Sequence, residues 1–333
     1  MTAVPAPRTR SVPGSGWTVV AGKEFADHLL SVRFVVLVII LGIAAAVPLY
    51  FLSGLIRDAA EGATEFPALY VALFFQAPPV SEQFTLPSVV GFLALVGPLL
   101  GLTFSFDAVN GERAAGTLPR LLSQPIHRDD VINGKFVAGL GIIAVVLVTM
   151  VGAITAFALI RLGVVPNAVE VLRVVLWILV TFTYISLWLA FGLLLSVVVR
   201  GAASSALIGF GMWFLLSAFG QLVVSLVGGL LAPRGDTADE ALRSIVAQES
   251  LFRLLPDTLY REASLTLLNP QVTSVSTPAT LGSYEQAQQR IPSLLSLDQS
   301  FLLVWPQVVG LVAMMVACFA LAYVLFMRQE VRA

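Results

Sequence analysis

The chain has 333 residues, of which 58% are hydrophobic and 12% charged. An ordinary soluble domain is about 25% charged and rarely exposes large apolar patches, so this composition argues against a soluble fold. The 19 Lys+Arg nearly balance 20 Asp+Glu, which leaves no basic field for nucleic acid, and the single Cys318 cannot form an intrachain disulfide.

Residues 1–15, with three prolines and two arginines, read as a flexible leader. Trp17, Ala21, Phe25, Leu29 and Val32 then recur at helical spacing, with Lys23, Glu24, Asp27 and Ser31 on the other side. Segment 16–33 is therefore expected to be an amphipathic helix in the inner headgroup plane. Crossing about 30 Å of hydrocarbon takes about 20 apolar residues. Six runs satisfy this, 34–56, 86–106, 136–160, 174–199, 202–232 and 301–326, and none holds Asp, Glu, Lys, Arg or His. Each is expected to be a helix, because a backbone in lipid must satisfy its own hydrogen bonds. The fold class is thus all-α, a polytopic bundle of six transmembrane helices over 34–333. Ala44-Ala45-Ala46 suggests a signal-peptide cleavage site, but the polar leader is too long and hydrophobicity continues to Ile56.

Between the spans, 66–76 is apolar but too short to cross, so it is expected to be interfacial or re-entrant. The fifth run is long enough to tilt or break near Gly228-Gly229. In the outer segment 233–300, residues 240–268 contain amphipathic stretches broken at Pro256, with Asp257 as a candidate N-cap.

Charge sets the expected sidedness. With the N-terminus inside, the inner segments carry 11 Lys/Arg and the short outer loops 57–85 and 161–173 carry 3. The 68-residue outer segment holds 5 more, but long loops translocate largely regardless of charge. Both termini are expected in the cytoplasm.

Catalytic groups are scarce. The two histidines, His28 and His127, both fall in inner segments, and no span offers a carboxylate pair, a Ser–His couple or a metal site. Gly134-Lys135 is followed by Phe136 and lacks the upstream glycine of a phosphate-binding loop, so this chain is not expected to bind ATP that way or to be an enzyme. No metal or cofactor site is expected in it.

The inner loop 107–135 reads DAVNGERAAGTLPRLLSQPIHRDDVINGK. A short polar helix carrying Glu112 and Arg113 should stop at Gly116, and Thr117 can cap a second helix with Pro119 in its first turn. Pro125 should end that helix, and Asp129 can cap the third span. The expected product is a rigid elbow with Leu118, Leu121 and Leu122 as its apolar face. Those leucines suit either the headgroup layer or a cytoplasmic partner.

The string E-R-x-x-G-T-L-x-x-L-L-S-Q-P, followed by Asp and then Gly-Lys at a helix start, resembles the inner loop of ABC-2-type transporter permeases. The members associated with copper-site maturation of nitrous-oxide reductase are the most similar by the Leu-Leu-Ser-Gln-Pro string. Six spans, an N-terminal interfacial helix and a large segment between spans five and six agree with the architecture of such type V exporter-like domains. The resemblance implies that this loop is a coupling helix seated on a separate ATP-binding subunit. On the matching positions Asn110, Gly111, Glu112, Arg113, Gly116, Thr117, Leu118, Leu121 and Leu122 would form that joint. It also implies two permease chains, identical or paralogous, with two ATPases that hold ATP and Mg, in a prokaryotic plasma membrane. The Pro/Arg leader and the 68-residue outer segment depart from shorter members.

Gly97-x-x-x-Gly101, Ser205-x-x-x-Gly209 and Gly192-x-x-x-Ser196 permit close helix contact, either within the chain or at a dimer surface. Ser217, Gln221 and Ser225 form a polar stripe on span five, which with Thr103 is a candidate translocation path. The rivals to an ATP-driven exporter are an ATP-independent carrier or channel, and a membrane scaffold or maturation factor that transports nothing.

Overall fold

The computed structural model describes residues 16–62, 69–81, 84–117, 126–231, 237–270 and 296–329. In chain order these form α1 (Gly16–Leu29), α2 (Val32–Gly62), α3 (Leu69–Phe75), β1 (Pro79–Ser81), β2 (Phe84–Thr85), α4 (Val89–Thr103) and α5 (Asn110–Ala114). Then come α6 (Arg128–Phe157, continued by a π-turn at Ala158–Leu162), α7 (Ala168–Val198), α8 (Ala202–Leu231), α9 (Ala238–Phe252), α10 (Pro256–Leu268) and α11 (Leu297–Arg328). The two strands pair antiparallel as one small hairpin.

Five helices are long and apolar enough to cross a membrane: Val32–Gly54, Arg128–Leu162, Ala168–Val198, Ala202–Leu231 and Leu297–Arg328. The sixth apolar helix, α4, stands where 86–106 was expected to cross but has only 15 residues, about 22 Å at 1.5 Å per residue. Its ends have local causes. The Ser88 hydroxyl accepts from Gly91 N at 3.1 Å and fixes the start. At the other end the Ser105 hydroxyl donates to Gly101 O at 2.8 Å, after the chain has left helical hydrogen bonding at Phe104.

The outer part of that column is built by α3, the described part of the short apolar run 66–76. Glu170, held in a capping box with Asn167 at the start of α7, accepts from Tyr70 N at 3.0 Å. Further along, the Phe74 ring packs on Trp177 with centroids 5.1 Å apart. Helix α3 therefore runs beside the first turns of α7 in the direction of that helix.

Helix α7 is the central mast, with Trp177, Tyr184, Ile185, Ala190 and Val197 all buried. A Cβ on Gly101 would approach Ile185 O to 2.5 Å and Leu189 N to 2.7 Å, so α4 rests on the α7 backbone itself. Gly97 faces Ile185, Gly192 faces Ser105 and Leu102, and Gly209 faces Leu102 and Leu195. Ser205 is fully buried. Contacts within the chain thus take up the small residues at 97, 101, 205 and 209. Helix α8 otherwise stands apart, with Leu207 76% and Leu230 83% exposed.

Candidate functional site

The end of the bundle that carries loop 107–135 is organised around Lys135, in the third turn of α6. Its ammonium lies 3.0 Å from Glu24 Oε1 on α1 and 2.8 Å from Glu112 Oε1 on α5, and its side chain is only 4% exposed. One cation therefore serves two carboxylates from two other elements. An isolated charge in such a place would be costly, and the shared ion pairs offset that. Burial pulls the Glu24 carboxyl upward, but the Lys135 and Lys23 ammonium groups together outweigh it and hold Glu24 below the ordinary carboxylate range. Burial pushes the neighbouring His28 imidazole down, assisted by Lys135 and opposed by Glu24. The Glu112 Oε2 atom is buried and has no partner among the described residues.

Helix α1 is fastened along the same stretch of α6. The Asp130 carboxylate accepts from His127 N at the start of α6 and from Trp17 N at the start of α1, both at 3.0 Å. Gly134 meets Val20, and Gly141 meets the Phe25 ring. These glycines let the two helices approach closely. Two expectations are corrected here. Glu24, assigned by its spacing to a solvated polar face, turns onto α6 because Lys135 is there to receive it. The start of α6 is capped by His127 with Asp130 three residues on, not by Asp129, which already lies inside the helix.

The elbow itself, 104–117, is tied at several further points. Asp107 pairs with Arg33 at 2.7 Å, at the start of α2. The Ser196 hydroxyl near the end of α7 accepts from Val109 N at 2.9 Å and Asn110 N at 3.2 Å. Asn110 is fully buried and its Nδ2 donates to Val199 O. Arg113 Nη2 donates to Gln329 Oε1, while Gln329 O accepts from Arg128 and Gln329 Nε2 donates to Val197 O. Gly111 N closes the turn onto Asp107 O. Gly116 takes φ 65°, which stops α5 as expected, and Thr117 N returns to Glu112 O at 3.0 Å. Thr117 Oγ1 donates to that same carbonyl. Leu118, Leu121 and Leu122, with Pro119 and Pro125, lie outside the described residues.

At the opposite end from the elbow, α9 and α10 form a hairpin that enters the bundle. Contact levels give its depth. Arg173 near the start of α7 donates to Leu267 O at 2.7 Å and to Ser300 Oγ at 3.2 Å. Deeper, Gly310 faces Leu259, and Pro256 shares an apolar cavity of about 380 Å³ with Trp188, Met314 and Cys318. From Arg173 to Trp188 is 15 residues, about 22 Å at 1.5 Å per residue, so the hairpin tip passes the middle of a 30 Å hydrocarbon layer. Tyr260, fully buried, stacks on Tyr184 with centroids 4.4 Å apart and planes 10° from parallel.

The hairpin carries charge to a depth where the spans have none. Arg253 Nε donates to Glu262 Oε2 at 3.0 Å, and Gln307 Nε2 donates to the same oxygen at 2.9 Å. Arg261 Nε pairs with Asp257 at 2.9 Å. Asp257 was expected to cap the second stretch, but Leu255 occupies the cap and Pro256 the first helical position, which leaves the Asp257 carboxylate for Arg261 one turn on. The arginine side chains are 30% and 43% exposed, so neither is sealed in packed core.

The candidate path residues of span five are less sheltered. Gln221 is exposed, Ser217 and Ser225 are half-buried, and the Ser225 hydroxyl donates to Gln221 O at 2.7 Å. Thr103 is half-buried at the inner end of α4. The structure does not bring Thr103 together with that stripe through any hydrogen bond among the described residues.

Residues 18–331 match the family described as ABC-2 family transporter protein. The chain is 30% identical over 214 residues to the probable ABC transporter permease protein NosY of Stutzerimonas stutzeri, an alignment covering 62% of this chain and 68% of that protein. To the protein of the same name from Pseudomonas aeruginosa it is 30% identical over 151 residues, 45% of this chain and 47% of the relative.

Proposed function

The chain belongs to the ABC-2 family of transporter proteins and is a multi-pass membrane protein, and from that premise we propose that it is the permease subunit of an ATP-driven exporter worked from the cytoplasm through loop 107–135. The observation that carries this reading is the sharing of Lys135 between Glu24 and Glu112. A partner seated on the elbow would push on α5. Glu112 would pass that displacement to α6 through Lys135, and Ser196 and Gln329 would pass it to the ends of α7 and α11. Packed elements with two discrete arrangements respond to such a push by shifting as units. The cleft between two permease copies would then change the side to which it opens.

In this reading two ATP-binding subunits supply ATP and Mg, the second permease is identical or paralogous, and both termini are cytoplasmic in a prokaryotic plasma membrane. The joint consists of Asn110, Gly111, Glu112, Arg113, Gly116 and Thr117 with Leu118, Leu121 and Leu122. Ser217, Gln221, Ser225 and Thr103 line the moving cleft, and the charged tip of the α9–α10 hairpin reaches into it from the outer side.

Co-purification with a candidate ATP-binding subunit tests the proposal. Glu112→Ala and Leu118→Asp should each reduce co-elution at least tenfold while the permease still elutes as a folded species. Unchanged co-elution in both variants would mean that the joint does not lie in loop 107–135, and no co-elution even of the wild type would favour a carrier that needs no ATPase.

A further inference from the structure

Helix α4 carries a proline in its interior, Pro98. Proline has no N–H and its ring crowds the carbonyl four residues back, so Ala94 O has no helical donor. In a membrane, carbonyls freed in this way are satisfied again by groups on neighbouring helices. Here Tyr184 of α7, 1% exposed, donates its hydroxyl to Ala94 O at 2.7 Å. The next carbonyl along, Leu95 O, accepts from Trp213 Nε1 of α8 at 2.9 Å.

This arrangement is particular to Pro98. Pro48 in α2 and Pro306 in α11 also lie inside helices and free Ala44 O and Leu302 O. No side chain among the described residues donates to either of those carbonyls. Only the turn at Pro98 is pinned by donors from two other helices.

The proline also divides α4 between two bodies. On the elbow side of it, Gly101 rests on the α7 backbone, and Leu102 packs against Gly192 and Gly209. On the hairpin side, a Cβ on Gly91 would lie 3.9 Å from the Arg261 guanidinium of α10. Tyr184 belongs to both. Its hydroxyl holds the proline turn, and its ring stacks on Tyr260 of α10 with centroids 4.4 Å apart. Sharp bends in helices fall almost always at such sites, and here the hydrogen bond that would resist bending is the one proline lacks.

We propose that Pro98 is the hinge of α4 and that Tyr184 is the positioning residue that carries its bend to the α9–α10 hairpin, with Trp213 tying the same turn to α8. The inference rests on the coupling reading above, and it names the route by which a displacement entering at the elbow leaves at the hairpin.

A double-mutant cycle on the full-length chain in detergent tests the pin. Tyr184→Phe keeps the ring stack and removes only the hydroxyl, and Pro98→Ala returns an N–H to Ala94 O. Hydrogen exchange on residues 99–103 should show local opening raised at least threefold by Tyr184→Phe alone, and hardly changed by it when Pro98→Ala is present. An equal rise in both backgrounds would overturn the pin. Trp213→Phe should raise the same opening by a similar factor, and no change would overturn the tie to α8. In the assembled complex, spin labels at Ala114 and Arg200, both exposed, report the elbow, and labels at Leu254 and Ile160 report the hairpin. With ATP and a hydrolysis-blocked partner, Tyr184→Phe should leave the elbow shift intact and reduce the hairpin shift at least twofold. Wild-type shifts at both pairs in that variant would overturn the route while leaving the coupling reading in place. No elbow shift even in the wild type would overturn the coupling reading and the route with it.

Discussion

Glu112 reaches Lys135 across 2.8 Å, and this is where the polar helix of the elbow is joined to the third long helix of the bundle. The same ammonium holds Glu24, so removing it leaves two carboxylates without their common partner. Glu24 keeps Lys23 at 3.2 Å, whereas Glu112 has no other ion pair among the described residues. Lys135→Met is expected to cost about 3–5 kcal/mol, the usual penalty for breaking a buried pair from one side. Adding Glu24→Gln and Glu112→Gln should recover most of it, because the uncompensated charges go too. Thermal unfolding in detergent, followed by tryptophan fluorescence, measures both.

Two glycines should respond differently to alanine. At Gly116 the added Cβ meets nothing within 4 Å, and only its φ of 65° opposes it, a cost of about 1–2 kcal/mol. At Gly101 the Cβ would press on the backbone of α7, which cannot yield without separating the two helices. Gly101→Ala should therefore lower the unfolding temperature more than Gly116→Ala, and the same melting assay decides it.

Acidification should loosen α1. His28 has a depressed pKa in the folded protein, so the unfolded state takes up its proton first, and stability falls as pH drops below the ordinary value of 6.5. Glu24 is also depressed, so its contribution is present above the ordinary 4.5 and is lost as pH falls below that through its folded value. Both act in one direction and in sequence. Hydrogen-exchange protection of residues 16–29, corrected for intrinsic rates, should fall between pH 7.5 and 5.5, and His28→Phe should remove that first step. Constant protection over this interval would contradict the assignment.

The re-entrant hairpin should depend on Glu262, which receives both Arg253 and Gln307. Hydrogen bonds to a charged group contribute about 1.5–3 kcal/mol, less where solvent reaches them, so Glu262→Gln should raise local opening of 253–268 roughly tenfold. Hydrogen exchange on those residues reads this directly, with α7 as an internal reference that should not change.

The long helices were legible from the chain alone because each is an uninterrupted apolar run, and lipid leaves such a run no alternative to a helix. That 66–76 is too short to cross was legible for the same reason, and its described part is the seven-residue helix α3. What escaped was set by partners distant in sequence. Lys135 read as the last residue of the inner loop and Glu24 as part of the polar side of an interfacial helix, because 111 residues separate them and no periodicity reports their meeting. The shortness of α4 depends on α3 filling the outer column, and the depth of Arg253 and Arg261 depends on α10 lying beside α7 and α11. The cap of α6 fell on His127 and not on Asp129, because Asp130 reaches back to His127 N and also receives Trp17 N from a distant part of the chain.

The most direct measurement is the distance from the tip of the α9–α10 hairpin to the outer end of α6 while ATP is bound to the partner. Spin labels at Leu254, 67% exposed on the hairpin, and Ile160, 86% exposed at the outer end of α6, would report it in the assembled complex by double electron–electron resonance. The account predicts that ATP with a hydrolysis-blocked partner shifts this distance in the wild type. It further predicts that Lys135→Met, in a complex that still assembles, abolishes the shift. An identical shift in that variant, or none in the wild type, would contradict transmission through the elbow.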